Sequence, residues 1–442
     1  MSGESGSVRR SVAQRRPRRL LLCLDGVPFD LIEQAKGRGL FDFFGTPSRL
    51  WSPFPTLTNV GLAAMLGASP PPGYEGLYFD RQSRAFGGGI WKYVGRRTPD
   101  KIPSSYMDEL DYQEPLHFEF LIYFAAERIW RADFKGFREA FHAAPRTRDF
   151  FGFIKATDGL LHLYGPAHLN VALESLDRIL REIHDYCGRE TEIVLFSDHG
   201  MVLQELRRIH LRTHVEKCGY QFVHSLTGRK GRALAVPGFG LCGYAAVYCG
   251  AETEVSAVGD ALAELEGVDF AIYCDSPETV VVNGQRGKAR IHRQENAQAS
   301  PTNFSLSSTR SLSELYRYEQ LGGDPLQLGS IVQNLKAKGE LDAFGYASDA
   351  AWFAATDAHV YPDALANLYH ALHKPRVRNT ADVLVSTLDG RYYGMSLFDH
   401  IVDVVATHGN ARRASSSAFL MSTRREFPAS VRADDARPLL RG

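Results

Sequence analysis

The 442-residue sequence lacks any long apolar run, and it contains only six cysteines, six methionines and four tryptophans. No stretch approaches the roughly 18 apolar residues that a membrane-spanning helix needs, so an integral membrane protein is not expected. The apolar run before Asp25 is too short for the core of a signal peptide. The cysteines are scattered without a CxxC pair, which favours reduced thiols over disulfides or a cysteine-based metal site. We therefore expect a cytoplasmic protein.

The sequence also lacks an excess of charge of either sign. Lysine plus arginine and aspartate plus glutamate both number 51. Nothing in this balance favours a nucleic-acid polymer or a membrane as a partner. The arginines are unevenly placed, because residues 1–19 contain six of them against one glutamate. Such a segment predicts a disordered basic tail.

What the sequence does contain is a repeated pattern of short apolar strands that end in an acidic residue. Asp25, Asp158 and Asp198 each close an apolar run that predicts a buried strand. His199 and Gly200 follow Asp198 directly. Adjacent side chains on a strand face opposite sides, so the chain must leave the sheet there if both are to serve one centre. Strands that alternate with helices favour a mostly parallel sheet, which binds ligands at the carboxyl ends of its strands.

Two further local patterns add candidate residues. Thr58 and Asn59 lie near the start of a predicted helix, where unpaired N–H groups and the helix dipole attract anions. Asp158 and His162 are four residues apart, so they share one face if their segment is helical. His408 lies in a second His-Gly elbow near the end of the chain.

The chemistry of these residues points to bound cations. Several carboxylates at one sheet edge repel each other, and the usual remedies are protonation, separation or cations. The imidazoles of His162, His199 and His408 favour cations. Mixed carboxylate and imidazole ligands suit zinc, with manganese or iron as alternatives, and six such groups suit two ions about 4 Å apart. A hydroxyl beside such ions can act as a nucleophile.

The motifs around Asp25, Thr58, Asp158 and His162, Asp198 and His199, and His408 occur along the chain in the order seen in the alkaline phosphatase superfamily. They look closest to those of its type I phosphodiesterase/nucleotide pyrophosphatase branch. The resemblance implies a mostly parallel central α/β sheet flanked by helices, with a helical insertion and a small α+β module. It implies two divalent ions. One would be held by Asp25, Asp198, His199 and the nucleophile Thr58, and the other by Asp158, His162 and His408.

The implied reaction is cleavage of a phosphodiester or nucleotide pyrophosphate bond through a phosphothreonine, on a small substrate such as a nucleotide or an aryl or alkyl phosphodiester. Phosphate monoester or phosphonate hydrolysis, a phosphomutase reaction, or a catalytically silent metal-binding relative stay open as alternatives. The nucleophile segment has no arginine or lysine between Arg49 and Arg81, which favours a singly charged diester. Thr56 is a second candidate nucleophile.

The sequence departs from the family pattern at two positions. Gly61 stands where the family often has an asparagine that contacts a phosphoryl oxygen, so Asn59 is the candidate substrate-binding residue. Leu161 replaces a glycine that is common before the motif histidine.

The pattern along the chain predicts four kinds of segment. They are a disordered tail (1–19), a catalytic α/β core (20–100, 143–205 and 375–425), a helical cap insertion (101–142) and an α+β insertion with substrate-side helices (206–374). Within the last segment, the pattern predicts one helix over 210–223, a polar loop over 286–312 and a helix over 325–345.

Overall fold

The computed structural model describes residues 18–89, 105–115, 117–188, 190–295, 314–394 and 404–441. Its strands, in chain order, are β1 (Leu20–Leu24), β2 (Ser48–Trp51), β3 (Leu77–Asp80), β4 (Ala85–Gly88), β5 (Tyr112–Gln113), β6 (Phe150–Ile154), β7 (Ile193–Ser197), β8 (Arg207–Arg208), β9 (Gln221–Phe222), β10 (Ala233–Ala235), β11 (Tyr244–Cys249), β12 (Val268–Ser276), β13 (Thr279–Gly284), β14 (Gly287–Glu295), β15 (Glu314–Gly323), β16 (Ala347–Ser348), β17 (Val383–Thr387), β18 (Arg391–Tyr392), β19 (Ser417–Ser422) and β20 (Ser430–Arg432).

The helices, in chain order, are α1 (Phe29–Gly37), α2 (Thr58–Leu66), α3 (Phe118–Ala143), α4 (Ala156–Tyr164), α5 (Pro166–Cys187), α6 (Leu211–Lys217), α7 (Val255–Ala263), α8 (Gly329–Ala337), α9 (Asp349–Thr356), α10 (Ala364–His373), α11 (Arg413–Ser416) and α12 (Ala436–Arg441), with 3-10 turns at Tyr106–Glu109 and Ala433–Asp435. Within the described ranges, no helix is both long and apolar enough to cross a bilayer.

The first sheet has seven strands in the order β20-β2-β19-β7-β1-β6-β5. Only β19 runs antiparallel to its neighbours, and the other four pairings are parallel. The three strands β1, β6 and β7 are buried along their whole length, as expected when helices cover both faces of a sheet. This is the mostly parallel central sheet that the sequence predicts.

Side-chain alternation along β1 divides the core of this sheet into two layers. Leu20, Leu22 and Leu24 pack against α1, α3, α4 and α5 on one face. Leu21 and Cys23 pack against α2 and α12 on the other. Because successive residues of a strand face opposite sides, one fully apolar strand supplies both layers. The carboxyl ends of β1, β6 and β7 consequently lie side by side at one edge.

The second sheet has nine strands in the order β16-β15-β14-β13-β12-β17-β11-β10-β9. All of its pairings are antiparallel except that of β9 with β10. Helices α8, α9 and α10 pack on one face, and α6 and α7 on the other. The α+β module is therefore larger than the small one predicted.

Two segments differ from the prediction in this module. β17 was predicted in the catalytic core, yet it pairs with β11 and β12 in the second sheet. Residues 286–312 were predicted to be a loop, but 287–295 form β14 and pair with β15, while 296–313 lie outside the described residues. Polar side chains alternate with buried ones in β14, so its apolar content is low even though it is a regular strand.

Two helices are shorter than the sequence indicates. The segment 210–223 was expected to be one helix, but α6 ends at Lys217 and the chain continues into β9. The helical segment expected over 325–345 is confined to α8.

Helix α3 does not have the position expected of a cap. Its aromatic residues Trp130, Phe134, Phe137 and Phe141 are buried in the core of the first sheet. They recur at intervals of three and four residues, which places them on one helix face. That face packs beside β6, so α3 forms part of the layer that covers the first sheet.

The predicted tail also ends earlier than residue 19. Arg19 is buried and forms a two-pronged ion pair with Asp149. The guanidinium of Arg18 lies over the ring of Phe141 at 4.1 Å. Both arginines therefore belong to the folded body, and residues 1–17 lie outside the described residues.

Candidate metal centre

The strand ends place three aspartates at one edge of the first sheet. Asp25 follows β1, Asp198 follows the neighbouring β7, and Asp158 lies in the first turn of α4 beyond β6. Asp25 and Asp198 are fully buried. The N–H of Gly26 donates to Asp198 Oδ1 at 3.1 Å, which fixes the two strand ends relative to each other.

Asp25, Asp198 and His199 form the first group of potential ligands, whose nearest donor atoms lie within 4.8 Å of one another. His199 Nε2 lies 3.4 Å from Asp25 Oδ1 and 3.5 Å from Asp198 Oδ2. The hydroxyl of Thr58 completes the group, since its Oγ1 lies 3.2 Å from Asp25 Oδ1 and 3.4 Å from His199 Nε2.

Asp158, His162 and His408 form the second group, also within 4.8 Å of one another. Asp158 Oδ1 lies 3.3 Å from His162 Nε2 and 3.8 Å from His408 Nε2. The His408 ring stacks on the ring of His199 with centroids 3.9 Å apart, so the two groups adjoin. The structure thus gathers the six acid and imidazole residues in the same two sets that the resemblance implies.

All three imidazoles are oriented by backbone carbonyl groups. The Nδ1 atoms of His162, His199 and His408 lie 2.7, 2.9 and 2.8 Å from the carbonyl oxygens of Ala406, Gly200 and Thr56. A carbonyl oxygen only accepts, so each Nδ1 carries a hydrogen, and in the neutral ring each Nε2 has its lone pair directed to the carboxylates. This orientation is the usual one for metal-binding histidines.

Three carboxylate oxygens show that the cluster needs a positive partner. Asp25 Oδ2, Asp158 Oδ1 and Asp198 Oδ2 are buried without a hydrogen-bond partner. Ligands about 2.0–2.1 Å from a tetrahedral ion lie roughly 3.3–3.4 Å from each other. The shortest separations between possible ligand atoms within the two groups are 3.2 to 3.8 Å. The residues therefore fit two metal ions in both chemistry and spacing.

The pKa values of the cluster also favour bound cations. Burial, reinforced by the charge of Asp158, raises the pKa of Asp25 well above its ordinary value. Burial also raises the pKa of Asp198 to about 7, against the opposing effect of His199. Burial and the nearby His199 lower the pKa of His408 well below its ordinary value. Asp158 and His162 behave in the opposite way, because against the effect of burial their mutual attraction lowers the pKa of Asp158 and raises that of His162. The carboxylates of Asp25 and Asp198 therefore keep their charge only where a cation or a proton offsets it.

Thr58 is the first residue of α2, and Leu57 before it provides no side-chain cap. The first N–H groups of a helix have no partner within the helix, so they favour a negatively charged group in front of Thr58. Thr56 differs, because its hydroxyl accepts a hydrogen bond from Gly409 N and donates one to Asn410 O. The geometry favours Thr58 over Thr56 as the nucleophile.

The two positions that depart from the family pattern have structural explanations. A Cβ atom at Gly61 would lie 2.9 Å from the carbonyl oxygen of Asp198, so no side chain fits there without displacing it. Leu161 is fully buried in the core of the first sheet. Asn59 accepts a hydrogen bond from the hydroxyl of Tyr106 and donates one to Tyr74 O, so its substrate-binding role stays a prediction.

Gly200 is required by a close approach of the backbone. A Cβ atom there would collide with Ala414 O and would lie 2.7 Å from Ser417 O, and its N–H donates to Ser415 O. We expect Gly200→Ala to reduce the free energy of unfolding by about 1–3 kcal/mol through overpacking, and to weaken metal binding at the adjacent His199. Urea unfolding and metal analysis measure the two effects. Gly37→Ala, at a glycine with open space around it and no positive φ, separates the steric effect from the general cost of losing a glycine.

Sequence reasoning missed one charged residue at this site. Lys155 directly follows β6, and its positive charge opposes the rise in the pKa of Asp25. Its backbone N–H donates to the buried carboxylate of Glu114. The signal was available, since Lys155 stands at a strand end in the same way as Asp25.

Comparisons with known proteins show which family the chain resembles. Residues 72–302, just over half of the chain, match the family described as type I phosphodiesterase/nucleotide pyrophosphatase. This range contains four of the seven candidate ligands. No curated protein matches the sequence.

Solved structures of phosphonoacetate hydrolase share the fold, and a further structure is similar at a lower score. That of phosphonoacetate hydrolase from Sinorhizobium meliloti 1021 in complex with phosphonoformate has a TM-score of 0.52 at 13% sequence identity, covering 96% of this chain and 95% of that one. The same enzyme in complex with phosphonoacetate gives 0.51 at 12% identity, with the same coverage. Murine ectonucleotide pyrophosphatase/phosphodiesterase 5 gives 0.48 at 13% identity, covering 96% and 94%.

Proposed function

The chain belongs to the type I phosphodiesterase/nucleotide pyrophosphatase family, and from that premise we propose that it cleaves a phosphodiester or nucleotide pyrophosphate bond through a phosphothreonine on Thr58. The membership confirms the family and the alkaline phosphatase-like fold that the sequence predicts. The substrate class is a small phosphorylated molecule.

One observation carries the proposal. The hydroxyl of Thr58 lies at a helix start, 3.2 Å from Asp25 Oδ1, beside three buried carboxylate oxygens that lack a hydrogen-bond partner. Attack by a hydroxyl on phosphorus needs an acceptor for the hydroxyl proton and donor groups that stabilise the negative charge on the phosphoryl oxygens. Asp25 supplies the first, and the N–H groups at the start of α2 supply part of the second.

In the proposed reaction, Thr58 Oγ1 forms a bond to phosphorus while the bond from phosphorus to the leaving oxygen breaks. The hydroxyl hydrogen of Thr58 points to Asp25 Oδ1, the nearest acceptor. Two divalent ions, which we expect to be zinc, would stabilise the charge on the attacking and leaving oxygens. Asp25, Asp198, His199 and Thr58 would hold one ion, and Asp158, His162 and His408 the other. Water then hydrolyses the phosphothreonine and restores the hydroxyl.

A phosphate monoester or phosphonate hydrolase is the second candidate function. It is favoured by Lys155, whose charge acts at Asp25 and would suit a doubly charged phosphoryl group. The nucleophile segment itself contains no lysine or arginine, which favours the diester. The two candidates differ in the substrate charge that the site tolerates.

Rates on a bis-aryl phosphate and on the matching aryl phosphate test the proposal. We expect kcat/KM to be about tenfold or more higher for the diester, a difference of ~1.4 kcal/mol in transition-state binding. A chelator should abolish both rates, and added zinc should restore them. A faster monoester reaction would assign the second function instead. A protein with two bound ions and neither rate would be a catalytically silent relative.

A further inference from the structure

Thr56 makes four polar contacts with the loop that carries His408. Its side chain is fully buried, and its hydroxyl accepts a hydrogen bond from Gly409 N at 2.9 Å and donates one to Asn410 O at 3.1 Å. Its backbone N–H donates to Gly409 O at 3.3 Å. Its backbone carbonyl accepts the hydrogen of His408 Nδ1 at 2.8 Å. One residue therefore binds three consecutive residues of a distant segment.

Resting on the proposed function, we infer that Thr56 is a positioning residue that ties the nucleophile segment to the metal ligand His408. Thr56 and Thr58 lie two residues apart, and Thr58 belongs to the first ligand group. His408 belongs to the second. The contacts of Thr56 thus join the hydroxyl that attacks phosphorus to the ion site on the other side of the centre.

The loop around His408 needs such a tie, because its other contacts lead to different parts of the fold. Gly243 N, next to β11 of the second sheet, donates to His408 O at 2.7 Å. The hydroxyl of Thr407 donates to Leu241 O. Val202 pairs with Thr407 in an isolated bridge. Of these contacts, none reaches the nucleophile segment.

Removal of the Thr56 hydroxyl would leave the N–H of Gly409 buried without an acceptor. A buried unpaired N–H is costly, and the loop relieves that cost by moving away from Thr56. Such a movement would shift His408 Nε2 relative to Asp158 and His162. The expected result is weaker binding of the second ion together with a misplaced nucleophile.

Thr56→Val tests this role because valine keeps the shape and the two backbone hydrogen bonds but loses the two hydrogen bonds of the hydroxyl. Thr56→Ser restores the hydroxyl and is the rescue variant. Thr356→Val is the matched control, since Thr356 is equally buried and its hydroxyl also accepts from a backbone N–H and donates to a carbonyl, away from the metal centre. Metal content against graded chelator, kcat and KM on a bis-aryl phosphate, and the unfolding temperature are measured for each protein.

We expect Thr56→Val to bind one of its two zinc equivalents about 10- to 100-fold more weakly, as for other residues that orient a metal ligand. Its kcat with saturating zinc should fall while KM changes little, because the nucleophile is misplaced and substrate contacts remain. Thr56→Ser should recover both values. Thr356→Val should lower the unfolding temperature and leave metal binding and kcat unchanged.

Wild-type metal affinity and kcat in Thr56→Val would overturn the inference. An equal loss of metal in Thr356→Val would also overturn it, because the effect would then be general destabilisation. If Thr56→Val does not fold, the same measurements are made on Thr56→Cys, whose thiol forms only weak hydrogen bonds. The proposed function is tested separately. If the wild-type protein binds two ions but hydrolyses neither ester, the proposed function is wrong, and the metal affinities of the variants can still be compared.

Discussion

Replacement of Thr58 by alanine is expected to reduce hydrolysis of a bis-aryl phosphate by about three orders of magnitude or more, because the variant lacks the oxygen that we propose attacks phosphorus. Metal binding should persist, since Asp25, Asp198 and His199 supply the other ligands of the first group. The variant should form no phosphothreonine. Acid-quenched reactions analysed by mass spectrometry would detect that adduct in the wild-type protein.

Two controls show whether the loss of activity comes from the loss of the Thr58 hydroxyl. Thr58→Ser keeps a hydroxyl at the start of α2 and should retain a measurable rate and a phosphorylated intermediate. Metal analysis of Thr58→Ala shows whether the loss of activity is a loss of ions. Unchanged hydrolysis in Thr58→Ala would remove Thr58 as the nucleophile, and adduct formation at another residue would identify its replacement.

Substitution of Arg432 by methionine is expected to lower the free energy of unfolding by about 3–5 kcal/mol, because it leaves two buried carboxylates without their partner. Arg432 ends β20 at the edge of the first sheet and is almost fully buried. Its guanidinium makes paired hydrogen bonds of 2.6 to 2.8 Å with Asp349 and Asp363, which lie at the starts of α9 and α10. This cluster joins the first sheet to helices that cover the second.

The pH dependence of this loss has a definite sign. Burial, opposed by Arg432, raises the pKa of Asp363 to about 6 in the folded protein. A carboxyl group with a raised pKa in the folded state favours folding when protonated and disfavours it as the pH rises. Removal of Arg432 takes away the opposing charge and raises that pKa further. The deficit of Arg432→Met should therefore grow as the pH rises above about 6 and should shrink as the pH falls towards 6.

Urea unfolding curves measure this effect, and two variants calibrate it. Arg131→Met removes an exposed pair with Glu127 and should change the free energy of unfolding by less than about 1 kcal/mol. Adding Asp349→Asn and Asp363→Asn to Arg432→Met removes the unpaired charges and should recover part of the loss. A deficit in Arg432→Met no larger than that of Arg131→Met would show that the cluster does not hold the sheets together.

Much of the central sheet could be predicted because its signal is local. Strands β1, β6 and β7 are short, fully buried and mostly apolar runs, and each is followed within a few residues by an aspartate. Parallel strands bring their carboxyl ends to one edge, so the three aspartates were expected to meet. The motif order then indicated the family, which the match over residues 72–302 confirms. The roles of the seven residues as ligands and nucleophile stay predictions.

The segments that were placed wrongly have patterns that fit two environments equally well. The aromatic face of α3 is that of any amphipathic helix, and the pattern does not say whether it covers a cleft or a sheet. β17 is an apolar run like β1, and the sheet it joins depends on the pairing partners available. β14 alternates polar and apolar residues in a ribbon, which resembles a loop in composition.

The sequence by itself determined which residue types stand at the strand ends, and with them the family and the chemistry of a centre built from carboxylates and imidazoles. The sequence names Thr58 as the nucleophile and Thr56 as a second candidate, but only the tertiary structure shows how the surroundings of the two hydroxyls differ. Their difference lies in hydrogen bonds to partners far along the chain: Thr56 meets His408 across 352 positions, whereas Thr58 faces Asp25. Such contacts depend on how the two sheets pack, and no local pattern encodes that packing.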